Sequence, residues 1–252
     1  MQKLRLIARL DIKNENVIKG IHLEGLRKIG DPIDVAKKYY QQGIDEVIFM
    51  DAVASLYGRN NLFHIIEAAC KEVFIPITIG GGIRNVSDIE MALNSGADKI
   101  AINTHAIKNP ALIMEASRIY GSQCIVGSIE AMKKSDNRWE AYTDNGREET
   151  GIDAIEWAKE LENLGAGELI ITSINQEGTN KGFDIELIKK ISENVTIPVI
   201  ASGGAGKIGH INDVVNHTEV GAVAIASLLH YNIHNVEEIK TVLHQTGINI
   251  RI

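Results

Sequence analysis

The chain repeats itself. GIDEVIFMDA, beginning at Gly43, returns as GAGELIITSI at Gly165, and FIPITIGGGIRN, beginning at Phe74, returns as TIPVIASGGAGK at Thr196, both displaced by 122 residues. Thr104 and Ser227, each just past a later apolar run, follow at a displacement of 123. A fixed internal period marks a fold built from copies of one unit. Here the unit is half the chain, which predicts a closed fold with approximate twofold symmetry. The expectation is one domain over residues 1–252, with halves at about 1–122 and 123–252. A ligand with two similar ends suits such a frame. At 252 residues, 44% of them hydrophobic, the chain can bury one large core. That is the usual size of a single α/β barrel.

Short apolar runs alternate with amphipathic stretches. The expected strands are Leu6–Leu10, Glu46–Met50, Ile75–Ile79, Lys99–Ile102, Cys124–Ile129, Glu168–Thr172, Pro198–Ala201 and Ala222–Ala226. Helical spacing follows most of them: Ile33–Gln42 places Ile33, Ala36 and Tyr40 on one stripe, and Val86–Asn94 and Asp153–Leu164 read the same way, with Gly96 and Gly165 as stops. Strands alternating with helices mean parallel pairing and right-handed crossovers. With the duplication, this predicts a (β/α)8 barrel of the TIM type with a half-barrel repeat. Two connections are long, Asp11 to Gly30 and Glu130 to Thr150, and long loops in a compact chain are usually functional.

The net charge of −7 and the lack of a long basic run argue against a nucleic-acid partner. No run approaches the roughly 18 apolar residues of a membrane helix, and MQKLRLIARLDIKN does not read as an export signal. Cys70 and Cys124, in separate apolar segments, read as buried thiols of a cytoplasmic protein. Nothing has zinc-ligand spacing, and no metal site is expected.

In a barrel the working end is the C-terminal end of the strands. Gly80, Gly81 and Gly82 fall at the end of the third strand, Gly203 and Gly204 at the end of the seventh, and Asn103–Thr104 and Ala226–Ser227 at the ends of the fourth and eighth. Glycine lets backbone approach an anion, and neighbouring amides and hydroxyls donate to it. Two such clusters in one register predict two phosphate cradles on opposite sides of one mouth, and a ligand phosphorylated at both ends. Asp11 and Glu130, ending the first and fifth strands, face each other between the cradles and suit general acid–base work on the middle of that ligand. Asp51 reads equally as a site support or a loop cap. Lys19, in the loop after strand 1, reads either as a surface lysine or as a cover over a phosphate. Trp139 reads as a stacking residue or part of a hairpin. His105 and His230 read as exposed or capping, with ligand contact as the lesser option.

At these residues the sequence resembles the cyclase subunit of imidazole glycerol phosphate synthase. The matching segments are LDIKNENVIKG, Gly30–Pro32 (GDP), IPITIGGGIR, GADKIAINT, YGSQCIV, GAGELIITSI, Gly178–Thr179 and PVIASGGAGK, over the full length. A sugar isomerase of the same pathway shares the architecture, but VIKG and GDP look like the cyclase. The resemblance implies addition of ammonia to a phosphoribulosyl-formimino aminoimidazole carboxamide ribonucleotide. The products are imidazole glycerol phosphate and aminoimidazole carboxamide ribotide, in histidine biosynthesis, with no cofactor. It implies catalytic roles for Asp11 and Glu130. It implies substrate or phosphate contacts from Lys19, Gly81, Gly82, Asn103, Thr104, Thr172, Glu177, Gly203, Gly204, Ala226 and Ser227. It also implies a glutaminase subunit at the N-terminal barrel face, contacting Asp98, whose ammonia passes a charged gate of Arg5, Glu46, Lys99 and Glu168. Gln123 and Ser202 sit at strand positions where an inward polar group could bind substrate, a reading that rests on the resemblance more than on spacing.

The match breaks at four positions. The family pattern has aspartate where this chain has Glu130, and a displacement of about 1 Å can cost about 10²-fold in rate. Glu177 is likewise longer than the family's residue, and Asn175 replaces an aspartate. Arg9 stands where a small residue is usual. Residues two apart share a strand face, so Arg9 is expected inside the barrel beside Asp11, lowering that carboxyl's pKa, obstructing an ammonia path, or pairing with Glu130 across the lumen. These departures keep a second reading open: a paralogue of the cyclase that delivers glutaminase-derived ammonia for acetamidino modification of surface sugars, which VGSI at Val126–Ile129 also resembles. A third is a phosphosugar-binding barrel without chemistry.

Overall fold

The computed structural model describes residues 3–53, 62–135 and 137–252. In the first half, β1 (Arg5–Lys13) leads through a hairpin, β2 (Asn16–Ile21) and β3 (Glu24–Gly30), to α1 (Pro32–Gln41). Then follow β4 (Glu46–Asp51), α2 (Phe63–Ala69), β5 (Ile77–Gly80), α3 (Val86–Asn94), β6 (Lys99–Ile102), α4 (Thr104–Lys108) and α5 (Ala111–Tyr120). The second half retraces this course: β7 (Ile125–Ser135), a hairpin of β8 (Arg138–Thr143) and β9 (Glu148–Asp153), α6 (Ala154–Asn163) and β10 (Glu168–Ser173). It ends with α7 (Ile185–Ser192), β11 (Val199–Ser202), α8 (Ile208–His217), β12 (Ala222–Ile225), α9 (Ser227–His230) and α10 (Val236–Gln245).

Strands β1, β4, β5, β6, β7, β10, β11 and β12 pair in that order, all parallel, and β12 returns to β1. The fold is a closed (β/α)8 barrel, as the repeat predicts. Alternation along each strand divides the interior. On β1, Leu6, Ala8, Leu10 and Ile12 join the core between sheet and helices, while Ile7 joins a second cluster in the lumen with Ile48, Met50, Ala101, Val126, Ile170, Ile200, Ala222 and Ala224. Burial of both faces explains why the strands read as apolar runs rather than as alternating patterns.

Local chemistry repeats with the fold. Asp31 caps α1 by accepting from the amides of Ile33 and Asp34, with Pro32 at the first helical position. Asp153, displaced by 122, caps α6 through Ile155 and Glu156 with nearly the same backbone angles (φ −67° and ψ 129°, against −71° and 134°). The GDP segment is therefore a helix start. Gly96 and Gly165 sit at φ +106° and +103°, a conformation that ends a helix cheaply only for glycine.

Three expectations need correction. The two long connections are antiparallel hairpins rather than loops, which one reading of Trp139 allows for the second. In α1 the fully buried side is Pro32, Ala36 and Tyr39, and Ile33 and Tyr40 are only partly buried against the core. Cys70 and Cys124 are half-buried free thiols. Among the described residues no helix is long and apolar enough to cross a membrane.

Candidate active site

The lumen is layered. At its N-terminal floor four side chains form a closed ring of ion pairs. Arg5 donates from Nη1 to Glu46 Oε1 at 2.7 Å and from Nη2 to Glu168, and Lys99 donates to Glu46 Oε2 at 3.1 Å and to Glu168 Oε2 at 2.9 Å. Both carboxylates are buried. The four residues expected as a gate are thus in mutual contact, from four separate strands. Beside the ring, exposed Asp98 accepts from the Ile77 amide at 2.8 Å. Asp45 accepts from Leu6 in the same way in the neighbouring unit, so Asp98 also anchors its own strand start.

Above the ring lies the apolar lumen cluster, and above that Arg9, only 3% exposed. Its Nε donates to Asp11 Oδ1 at 2.9 Å, and its Nη1 donates to Thr172 Oγ1 at 2.7 Å and Ser202 Oγ at 3.1 Å. The expected inward orientation beside Asp11 holds. The expected Arg9–Glu130 pairing does not: among the described residues Arg9 forms its ion pair with Asp11, because Nε lies over the carboxylate two residues along the same strand face. Glu130 feels Arg9 only as a nearby charge.

Asp11 and Glu130 both lie in the mouth, 8% and 5% exposed. Neither ends its strand. β1 continues to Lys13 and β7 to Ser135, but each carboxylate sits one rung below the last parallel pairing, Ile12 with Asp51 and Ala131 with Ser173. Their electrostatics differ. Burial would raise the Asp11 carboxyl, but the Arg9 guanidinium and the Lys19 ammonium, 3.9 Å away, outweigh it and hold Asp11 below the ordinary range. Burial pushes Glu130 up to about 7, only partly opposed by Arg9 and the Gly146 amide. Glu130 Oε2 accepts from Asn103 Nδ2 at 3.1 Å.

Two clefts flank the carboxylates. One is lined by Gly81, Gly82, Asn103, Thr104, His105 and Glu130 at the ends of β5 to β7; the other by Gly203, Gly204, Ala226, Ser227, Lys19 and Glu177 at the ends of β10 to β12. In the ring of strands these groups lie on opposite sides. The turn residues repeat in conformation: Asn103 at φ −114°, ψ −86° and Ala226 at φ −132°, ψ −69°, each opening a short helix. Glycine is required here for packing too. A Cβ at Gly81 would stand 2.4 Å from the Asp51 carbonyl oxygen, and at Gly204 2.0 Å from that of Gly182. Thr104 Oγ1 accepts from the Asp144 amide at 3.0 Å, which leaves its own proton to donate into the cleft. Asn103 Oδ1 is a buried acceptor with no hydrogen-bond partner among the described residues, beside the same cleft.

The first hairpin covers the mouth. Lys19 lies on β2, buried, and donates to Glu177 in the loop after β10. Next to it the His22 amide donates to the Glu177 carbonyl at 2.8 Å, His22 Nδ1 meets the Ile174 carbonyl at 2.8 Å, and Leu23 packs on Tyr142 and Ile174. Both options for Lys19 were incomplete, since it is neither on a loop nor on the surface but is the inward cation of a closed cover. Of the groups expected to meet ligand, Thr172 spends its acceptor on Arg9 and Glu177 is paired with Lys19.

Of the two readings of Trp139 the hairpin one holds: it is fully buried and donates from Nε1 to Asp184 Oδ2 at 2.9 Å, so it braces the second hairpin and cannot stack on a ligand. Other expectations fail on position. Gln123 lies exposed in a turn before β7 at the opposite end of the barrel, donating to the Tyr120 carbonyl. His230 is buried, not exposed. Burial lowers it to about 4, and its Nδ1 and the Tyr39 hydroxyl share a hydrogen bond at 2.8 Å. Ser202 does face inward, where it holds Arg9. Asp51 lines the first cleft and accepts from the Val53 amide at 3.0 Å. The sequence reading missed Asn145, which lines the first cleft and donates to the Leu23 carbonyl at 3.4 Å. The signal was the DNG turn at 144–146, which tips the second hairpin toward the mouth.

A closed (β/α)8 barrel with two buried carboxylates between two glycine-lined clefts is the frame of a barrel enzyme. Over residues 5–235 the chain matches the family described as histidine biosynthesis protein, and it belongs to that family. It is 60% identical over 212 residues, 84% of this chain and 100% of the relative, to the imidazole glycerol phosphate synthase subunit HisF of Legionella pneumophila.

Proposed function

We propose that the chain is the cyclase subunit of imidazole glycerol phosphate synthase, acting in histidine biosynthesis. The observation that carries this reading is the placement of Asp11 and Glu130 in one buried mouth between two clefts of matching backbone, above a closed ring of charges. The bis-phosphorylated formimino ribonucleotide spans the clefts, one phosphate against Gly81, Gly82, Asn103 and Thr104, the other against Gly203, Gly204, Ala226 and Ser227. Thr172 and Glu177 border the second phosphate's end of the ligand. Lys19 exchanges Glu177 for ligand when substrate enters. Two carboxyls whose environments push their pKa values apart take different roles. Asp11, held ionised by its two cations, is the base, and Glu130, with a pKa of about 7, carries the proton that the leaving ribotide needs. Ammonia arises on a glutaminase subunit docked on the N-terminal face at Asp98, and enters past Arg5, Glu46, Lys99 and Glu168.

One observation favours the second reading, ammonia delivery for acetamidino groups on surface sugars. The buried Arg9–Asp11 pair weakens Asp11 as a base and occupies the lumen. One assay separates the two. The purified chain is given the formimino ribonucleotide and a saturating ammonium salt at alkaline pH, and loss of substrate absorbance is followed. Turnover is expected. No turnover, with phosphosugar binding intact, moves the chain to the sugar-modification reading.

A further inference from the structure

Among the described residues, Arg9 is the charged side chain that lies between the floor ring and the two carboxylates of the mouth. It leaves β1 and reaches past β12 to the hydroxyls of Thr172 on β10 and Ser202 on β11. It borders both clefts at once. Directly below it the lumen is lined by Ile7, Ile48, Val126, Ile170 and Ile200. Strand register gives it a twofold mate. Arg9 pairs with Ile48 as Ser128 pairs with Ile170, and Ile48 and Ile170 are repeat equivalents. Ser128 is too short to cross the barrel, so only one half supplies a bar.

We propose that Arg9 is a second gate: a crossbar that seals the apolar lumen from the mouth, so that a small neutral molecule crossing the barrel reaches Asp11 and Glu130 only when the guanidinium leaves Thr172 and Ser202. The proposal rests on the cyclase reading, in which ammonia takes that route. The two closures differ in kind. The floor ring's cations are partly exposed, whereas Arg9 is buried and anchored on three sides, where low local dielectric strengthens each hydrogen bond. The crossbar also hangs on Asp11. Moving it opens the path and removes the nearer of the two cations holding Asp11, so admission of the nucleophile and release of the base are one event. Arg9 acts here as a positioning residue.

The test compares two ammonia sources in the complex with the glutaminase subunit. Turnover of the formimino ribonucleotide is measured with glutamine, whose ammonia crosses the lumen, and with a saturating ammonium salt, whose ammonia enters from the mouth. The readout is their ratio, in which any damage to the chemistry at Asp11 cancels. Arg9→Ala is expected to raise the glutamine-to-ammonium ratio severalfold. Ser202→Ala, which removes one anchor, should raise it less. A ratio unchanged or lowered in both variants overturns the crossbar. If Arg9→Ala does not fold, Ser202→Ala carries the test alone, since it loses a single hydrogen bond. Absence of ammonium-dependent turnover in the unmodified complex is a separate result: it removes the cyclase reading, and the crossbar with it.

Discussion

Asp11 and Glu130 occupy matching positions in the two halves of the barrel, and burial pushes both carboxyls up, yet at Asp11 alone neighbouring cations reverse it. Backbone symmetry delivers one carboxylate to each side of the mouth. The side chains then break the symmetry, because Arg9 and Lys19 both stand beside Asp11, while the mate of Arg9 is Ser128. Duplication can thus supply two equivalent stations, and two cations beside one of them hold it below the ordinary carboxylate range while the other becomes a proton carrier near neutral pH.

The largest effects follow from removing either station. Asp11→Asn and Glu130→Gln should each lower ammonium-dependent kcat by about 10²- to 10⁴-fold, the usual worth of a positioned acid or base; near-normal kcat in either would dissolve the assignment. Glu130→Asp, which withdraws the carboxylate from Asn103, should cost on the order of 10²-fold, read in the same assay. If it instead raises activity, Glu130 is a weakened copy of the family's aspartate.

A smaller effect sharpens the contrast through stability. Glu130 has its folded pKa raised to about 7 from 4.5, so its contribution is fully present below the unfolded value and is lost as pH rises through about 7. Glu130→Gln should therefore stabilise the fold at pH 8 relative to pH 5, by on the order of 3 kcal/mol, in paired urea titrations. Asp11 has the opposite sign. Its folded pKa is lowered, so its contribution is present above the unfolded value and is lost as pH falls through the folded one. Asp11→Asn should destabilise at neutral pH and less so in acid. Matching pH trends for the two variants would refute the contrast.

The hairpins give the same lesson at lower stakes. β2–β3 carries Lys19 over the mouth, whereas β8–β9 anchors itself through Trp139 on Asp184. Trp139→Phe should cost about 2 kcal/mol or more in thermal or urea melts, since it removes a hydrogen bond to a carboxylate and opens space at a fully buried site, and leave kcat almost unchanged. A large loss of kcat would return Trp139 to the site.

Much of this was readable beforehand. All eight barrel strands, the two glycine clusters and the four floor charges stand where the repeat and the strand ends place them, and the two carboxylates sit one rung below the last parallel pairing, because a parallel strand buried on both faces leaves an unbroken apolar run and a barrel puts its strand ends on one rim. The two hairpins were less legible. Their strands are short, partly polar and stabilised by what they cover, so period and propensity gave little signal. Gln123 was misplaced because the strand it was assigned to starts two residues later, at Ile125, and the turn before it lies at the opposite end of the barrel.

The sequence was sufficient for the closed barrel, its twofold plan and the inventory of charges, since these follow from periodicity and from spacing along the chain. Partner choice was decided by the tertiary structure alone. Arg9 takes Asp11, Thr172 and Ser202 rather than Glu130, and Lys19 takes Glu177, because hydrogen bonds act over about 3 Å and only the closed barrel, with its hairpin laid over the mouth, brings residues from four distant segments within that reach.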